Sequence, residues 1–124
     1  MRLLLDTHTL IWWADDRPLA PAAAAAIRSP DNAKFVSAAS IWEAEIKAQL
    51  GKLELEFDLA AGSLAHGFES LPITFDYAEA AGRLPPHHGD PFDRMLVAQA
   101  QLEGLTIVSR DPVFERYAVA VLKA

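Results

Sequence analysis

The 124-residue chain contains no cysteine. That excludes disulfide staples, thiolate metal sites and cysteine nucleophiles. It also has no apolar run near the ~20 residues of a membrane-spanning helix, so no membrane role is expected. The opening Met1–Asp6 offers three leucines before an acid, short of the ~7–15 apolar residues of a signal peptide, and a cytoplasmic location is expected. Positive charge is scarce as well: 11 Lys and Arg stand against 17 Asp and Glu, a net charge of −6. Phosphate binding normally wants a basic face, so this balance argues against a nucleic-acid binder. Acids that hold divalent cations escape the objection, because the loaded site presents positive charge to a phosphate.

What is present is a globular composition, 52% hydrophobic and 23% charged, in a length suited to one domain over residues 1–124. Leu3–Leu5 is a continuous apolar run, the pattern of a strand buried on both faces of a parallel sheet. Further strands are expected at Lys34–Ser37, at Leu71–Thr74 (on a sheet edge, because of Pro72), at Leu105–Val108 and within Tyr117–Leu122. Helices are expected over Thr7–Ala14, Pro21–Arg28, Ala39–Leu50, Phe57–Glu69, Tyr77–Arg83 and from Asp90 to Glu103, with a short one opening at Asp111-Pro112. Ser40-Ile41-Trp42-Glu43 has the form of a capping box. Gly51 and Gly104 supply stops. Strands alternating with helices give an α/β fold with a parallel sheet covered on both faces.

In such sheets, ligands bind beyond the carboxyl ends of the strands. Asp6 ends the first strand, Asp111 follows the Leu105–Val108 strand, and Asp93 lies in the first turn of a helix leading to that strand. Carboxylates gathered on one rim push up one another's pKa values, and a bound divalent cation resolves the conflict. All-oxygen donors suit Mg²⁺ or Mn²⁺ rather than Zn²⁺, and phosphodiester hydrolysis is the natural reaction class.

Four stretches, in order, carry a resemblance: Leu3-Leu4-Leu5-Asp6-Thr7-His8, Ser40-Ile41-Trp42-Glu43, the run from Asp90-Pro91-Phe92-Asp93-Arg94 to Ala100, and Thr106-Ile107-Val108-Ser109-Arg110-Asp111. Together they resemble the PIN-domain ribonucleases, most of all the VapC toxins of bacterial toxin–antitoxin pairs. The resemblance implies a three-layer α/β/α sandwich around a central parallel sheet of four to five strands. It implies Mg²⁺-dependent cleavage of RNA (Mn²⁺ being an alternative ion) by metal-activated water, leaving a 5′-phosphate and a 3′-hydroxyl. It further implies a homodimer blocked by a small cognate antitoxin. By position, the implied catalytic and metal-binding acids are Asp6, Glu43, Asp93 and Asp111.

Each of these has a plainer reading. Asp6 could cap the helix after it. Glu43 could complete a capping box and pair with Lys47 four residues on. Glu45 competes with it: if Trp42, Ile46 and Leu50 mark the buried arc, Glu43 falls about 20° beyond Leu50 and Glu45 about 60° before Trp42. Geometry leaves that choice open, and the resemblance favours Glu43. Asp90 before Pro91 reads as an N-cap adjoining the site, and Asp111 before Pro112 repeats the pattern. Arg94 and Arg110 are candidates for orienting phosphate or for pairing with a neighbouring acid. Thr7 and Ser109 could hydrogen-bond the ligands or only cap helices. His87-His88 reads as an ordinary polar loop pair, since no further spacing supports a zinc site. The alternatives to an enzyme are a phosphate-receiver-like module and a PIN member that binds without cutting. The first is opposed by Asp6-Thr7-His8 lacking an adjacent acid, by Ser37 lacking an Asp at the middle strand's end, and by Ser109-Arg110 standing where a late Lys is wanted. The second is opposed by the presence of all four acids.

Overall fold

A computed structural model describes residues 1–124. β1 (Arg2–Leu5) leads into α1 (Thr7–Ala14) and α2 (Pro21–Arg28). β2 (Ala33–Ser37), α3 (Ala38–Gln49), α4 (Leu59–Ala65) and β3 (Glu69–Leu71) follow. Then come α5 (Phe75–Gly82), α6 (Pro91–Glu103), β4 (Thr106–Ser109), a 3₁₀ turn (Pro112–Arg116) and β5 (Ala120–Lys123). The five strands form one sheet in the order β3-β2-β1-β4-β5, and every neighbouring pair is parallel. This is the expected sandwich.

The central strand shows why. Leu3, Leu4 and Leu5 are all fully buried, and successive side chains of a strand face opposite ways. Leu3 and Leu5 pack with Leu10, Ile27 and Val36 in one core. Leu4 packs with Phe35, Leu96, Ile107 and Phe114 in the other. A run apolar at every position therefore serves two cores, one under each helical layer.

Several boundaries differ from expectation for physical reasons. β3 is an edge strand, as expected, but it covers Glu69–Leu71 and not Leu71–Thr74. Pro72 has no N–H to give a ladder, so the strand ends before it. The helix expected over Phe57–Glu69 is only Leu59–Ala65, because the chain turns at Gly67 with φ +86°. β5 starts at Ala120 and pairs with β4.

The expected capping box is corrected. Ser37, at the end of β2, caps α3 by accepting from the N–H of Ala39, so Ser40 and Glu43 lie inside the helix. The buried arc of α3 is corrected too. Trp42 (59% exposed) and Leu50 (62%) face out, while Ala39, Ser40, Glu43 and Ala44 face in. The buried positions of α3 thus carry small residues and Glu43, with Ile41 half-buried against the core and Trp42 and Leu50 left outside.

Gly104 closes α6 in the left-handed conformation at φ +67°, with nothing within 4 Å of where a Cβ would sit. Gly104→Ala is therefore a backbone-only perturbation, expected to cost about 1 kcal/mol in a urea melt.

Candidate metal centre

Asp6 follows the last residue of β1, where the strand gives way to α1. Its main-chain N–H still donates to Val108 O at 3.1 Å, which extends the β1–β4 pairing to the rim. Its side chain is 5% exposed. Oδ1 accepts from the N–H of Thr9 at 2.8 Å, and Oδ2 accepts from the Ser109 hydroxyl at 2.5 Å. Cap and rim acid are thus the same residue. Each carboxylate oxygen has a second lone-pair site beyond the bond it makes.

α3 brings Glu43 inward, 4% exposed, while Glu45 faces solvent. Glu43 Oε2 pairs with Lys47 Nζ at 2.9 Å. Oε1 is buried with no hydrogen-bond partner. A buried carboxylate oxygen left without a partner is costly unless something else satisfies it.

Asp90 caps α6 as its sequence suggests. Its Oδ1 accepts from the N–H groups of Phe92 (2.8 Å) and Asp93 (3.4 Å). Asp93 then stands in the first turn, where the helix dipole favours an anion. Its pKa is nevertheless pushed up to about 6, first by burial and then by the negative charges of Asp90, Glu43 and Asp6, with a hydrogen bond from His88 working the other way. Asp90, Glu43 and Asp6 are thus the acids near enough to act on Asp93, with Asp90 the strongest of the three. Asp111 is not among those charges. It caps the 3₁₀ turn through Val113 N at 2.9 Å, and its own N–H donates to Ser109 Oγ. Asp111 therefore joins the cluster only through the Ser109 hydroxyl that also holds Asp6.

Of the expected auxiliary residues, Ser109 hydrogen-bonds Asp6, whereas the buried Thr7 hydroxyl has no partner. The arginines turn to main-chain carbonyls. Arg94 donates from both terminal nitrogens to Pro85, His88, Ala81 and Leu84. Arg110 donates to Ala124 O and Pro18 O and lies 4.2 Å over the Trp12 ring. Phosphate orientation, the role expected from their places beside acids, is not the role these bonds give them.

His88 is the residue that sequence reasoning missed. Its Nε2 lies 2.9 Å from Asp93 Oδ2, and donor atoms of His88, Asp90 and Asp93 all fall within 4.8 Å of one another. The expectation of an ordinary loop pair holds only for His87, which packs edge-on against Tyr117. The available signal was proximity to Asp93 along the chain, but a loop has no period from which to read direction.

A hard divalent cation fits these groups. The acids supply oxygens, Glu43 offers one without a partner, and burial first and then neighbouring negative charge hold the Asp93 carboxyl above its ordinary pKa.

The family model described as "PIN domain" matches residues 3–120. The chain belongs to the PIN domain family. It is similar to "Ribonuclease VapC22" of Mycobacterium tuberculosis (strain ATCC 25618 / H37Rv), with 33% identity over 113 residues, spanning 88% of this chain and 86% of that protein. Its fold is similar to VapBC2 from Rickettsia felis, solved bound to a DNA fragment from their promoter: TM-score 0.75, 13% identity, 100% of this chain and 99% of that one. A toxin–antitoxin complex from Klebsiella pneumoniae gives TM-score 0.67 at 24% identity, covering 97% and 95%. At such identities the structural likeness is one of fold. No helix is long and apolar enough to cross a membrane.

Proposed function

We propose that this chain, as one PIN domain over residues 1–124, is a metal-dependent endoribonuclease acting as the toxin of a toxin–antitoxin pair in the cytoplasm. The observation that carries the reading is the buried Glu43 Oε1 without a partner, on the same acidic rim as Asp93, whose carboxyl burial and the charges of Asp90, Glu43 and Asp6 hold up to about 6. Family membership and the similarity to a protein named a ribonuclease support the reaction class. Asp6, Glu43 and Asp93 would hold Mg²⁺, or Mn²⁺ in its place, and Asp111 would act from the outer edge through Ser109. Such a cation supplies Lewis-acid charge for an attacking water and for the phosphate oxygens of RNA.

The chain's own groups do the positioning. Thr9 N–H and Ser109 fix the Asp6 carboxylate in one rotamer. Lys47 holds one oxygen of Glu43 and leaves the other facing inward without a partner. Asp90 secures the first turn from which Asp93 projects. Cleavage is proposed to leave a 5′-phosphate and a 3′-hydroxyl.

The likeness to toxin–antitoxin complexes supports a small antitoxin as partner, and a homodimer is proposed with it. The exposed Trp42, Ile46 and Leu50 on one side of α3 supply apolar surface that a protein contact would cover.

Purified protein should cleave RNA with Mg²⁺ or Mn²⁺ and stop on adding EDTA, while Asp6→Asn keeps its fold by circular dichroism and loses cleavage. Cleavage by Asp6→Asn at the wild-type rate would sink the proposed site. No Mg²⁺ binding by calorimetry would instead favour a PIN module that binds a partner but does not cut.

A further inference from the structure

We propose that His88 is a positioning residue for Asp93, held in place by Arg94: its Nε2–H fixes Asp93 Oδ2 and leaves the other carboxylate oxygen free to bind a cation. This rests on the reading of Asp93 as a ligand. The first support is geometric. His88 Nε2 and Asp93 Oδ2 are 2.9 Å apart and both side chains are largely covered, 28% and 18% exposed. Nε2 carries a proton in one neutral tautomer and in the imidazolium alike, so the hydrogen bond does not depend on the charge of the ring.

The second support is the construction of the loop between α5 and α6. This stretch, Arg83 to Asp90, has no regular structure of its own, and three side chains, Arg94, Tyr117 and His87, fasten it. Arg94 Nη1 donates to Pro85 O (3.1 Å) and His88 O (3.3 Å), while Nη2 donates to Ala81 O (2.9 Å) and Leu84 O (3.1 Å). The Tyr117 hydroxyl donates to Pro85 O at 3.1 Å. The His87 ring meets Tyr117 edge-on. A planar guanidinium spanning four carbonyls is a geometry that Lys cannot reproduce. Arg94 follows Asp93 directly, yet it reaches Asp93 through the loop: it holds the main chain of His88, whose imidazole meets the Asp93 carboxylate. Groups that hydrogen-bond a metal-ligating side chain set its orientation, and losing one weakens metal binding by ~10–100-fold.

The test measures Mn²⁺ affinity by isothermal calorimetry, with pulsed EPR of bound Mn²⁺ to read nitrogen coordination. His88→Ala should weaken Mn²⁺ binding by about tenfold. His88→Gln, whose amide N–H can reach the same oxygen, should recover most of that loss. Arg94→Lys should weaken binding in the wild-type background and add little to His88→Ala, because both act through one contact. Wild-type Mn²⁺ should show no imidazole nitrogen coupling. Unchanged affinity in His88→Ala overturns the proposal, as does failure of His88→Gln to restore it or full additivity with Arg94→Lys. A nitrogen coupling that disappears in His88→Ala also overturns it, by making His88 a ligand. Asp93→Asn separates the role of His88 from that of Asp93 itself. If that variant binds Mn²⁺ like wild type, the site reading fails and the proposal goes with it. If it binds weakly while His88→Ala does not, only the proposal fails.

Discussion

Asp93→Asn should melt at a higher temperature than the wild type at pH 7 without divalent cations, and should lose RNA cleavage by ~10³-fold or more with Mg²⁺ present. The stability half follows from linkage. A carboxyl whose folded pKa is raised contributes its stabilisation while protonated, fully so below its ordinary value of 3.8, and that contribution is lost as pH climbs through about 6. At pH 7 Asp93 is ionised in a partly desolvated place facing other acids. A rise from 3.8 to about 6 corresponds to about 3 kcal/mol, and the remaining solvent contact reduces this to roughly 2 kcal/mol. In a chain of this size that is a rise of roughly 5–10 °C in Tm for the amide, which carries no charge. The difference should shrink to near zero as pH falls from 7 to 4. Mg²⁺ should raise the wild-type Tm and leave the variant's nearly unmoved, because a ligand stabilises only the state that binds it. The activity half follows from charge: losing about 4 kcal/mol of transition-state stabilisation costs ~10³-fold in rate. A variant that is both less stable and less active would mean that Asp93 holds the fold together and not a cation.

This opposition of stability and function explains which parts of the molecule could be read from sequence. β1 and β4 are legible because a central parallel strand must be apolar at every position, and Leu3–Leu5 and Ile107-Val108 are. Asp6 and Asp90 are legible because strand ends and proline-opened helices announce themselves locally. α3 is where local reasoning pointed the wrong way. Its large apolar residues suggest the core, but the inward face is built from Ala39, Ser40, Ala44 and the charged Glu43. A helix that must place a carboxylate inside cannot also bury its largest apolar groups on that side. The capping box misled for a related reason: Ser37, three residues earlier, already had the extended backbone and the free hydroxyl that a cap requires. His88 and the carbonyl clasp of Arg94 depend on how an irregular loop folds back, and no periodicity encodes that. The sequence's acidic balance, an objection to phosphate binding at first, fits the proposed site, in which several carboxylates would hold a divalent cation.

Leu4→Ala should show the reverse pattern, a large loss of stability with the chemistry preserved. Leu4 is fully buried on the central strand. It stands in register with Phe35 on β2 and Ile107 on β4, and all three belong to the core beneath α6. Alanine there removes the transfer energy of the side chain and leaves a cavity that β1 and its two neighbouring strands cannot close without breaking their ladders. Substitutions of this kind cost about 3–5 kcal/mol, which for this length lowers Tm by roughly 10–20 °C. The Asp6 carboxylate is fastened separately, by Thr9 N–H and Ser109 Oγ, and its main chain by Val108 O. None of those bonds involves the side chain at position 4. Below its melting temperature Leu4→Ala should therefore bind Mn²⁺ and cleave RNA within a few-fold of wild type, and urea titration should show a lowered midpoint with an unchanged slope. Loss of Mn²⁺ binding in protein that circular dichroism shows to be folded would mean that the rim is not anchored by its own hydrogen bonds but is carried by the packing of the sheet beneath it.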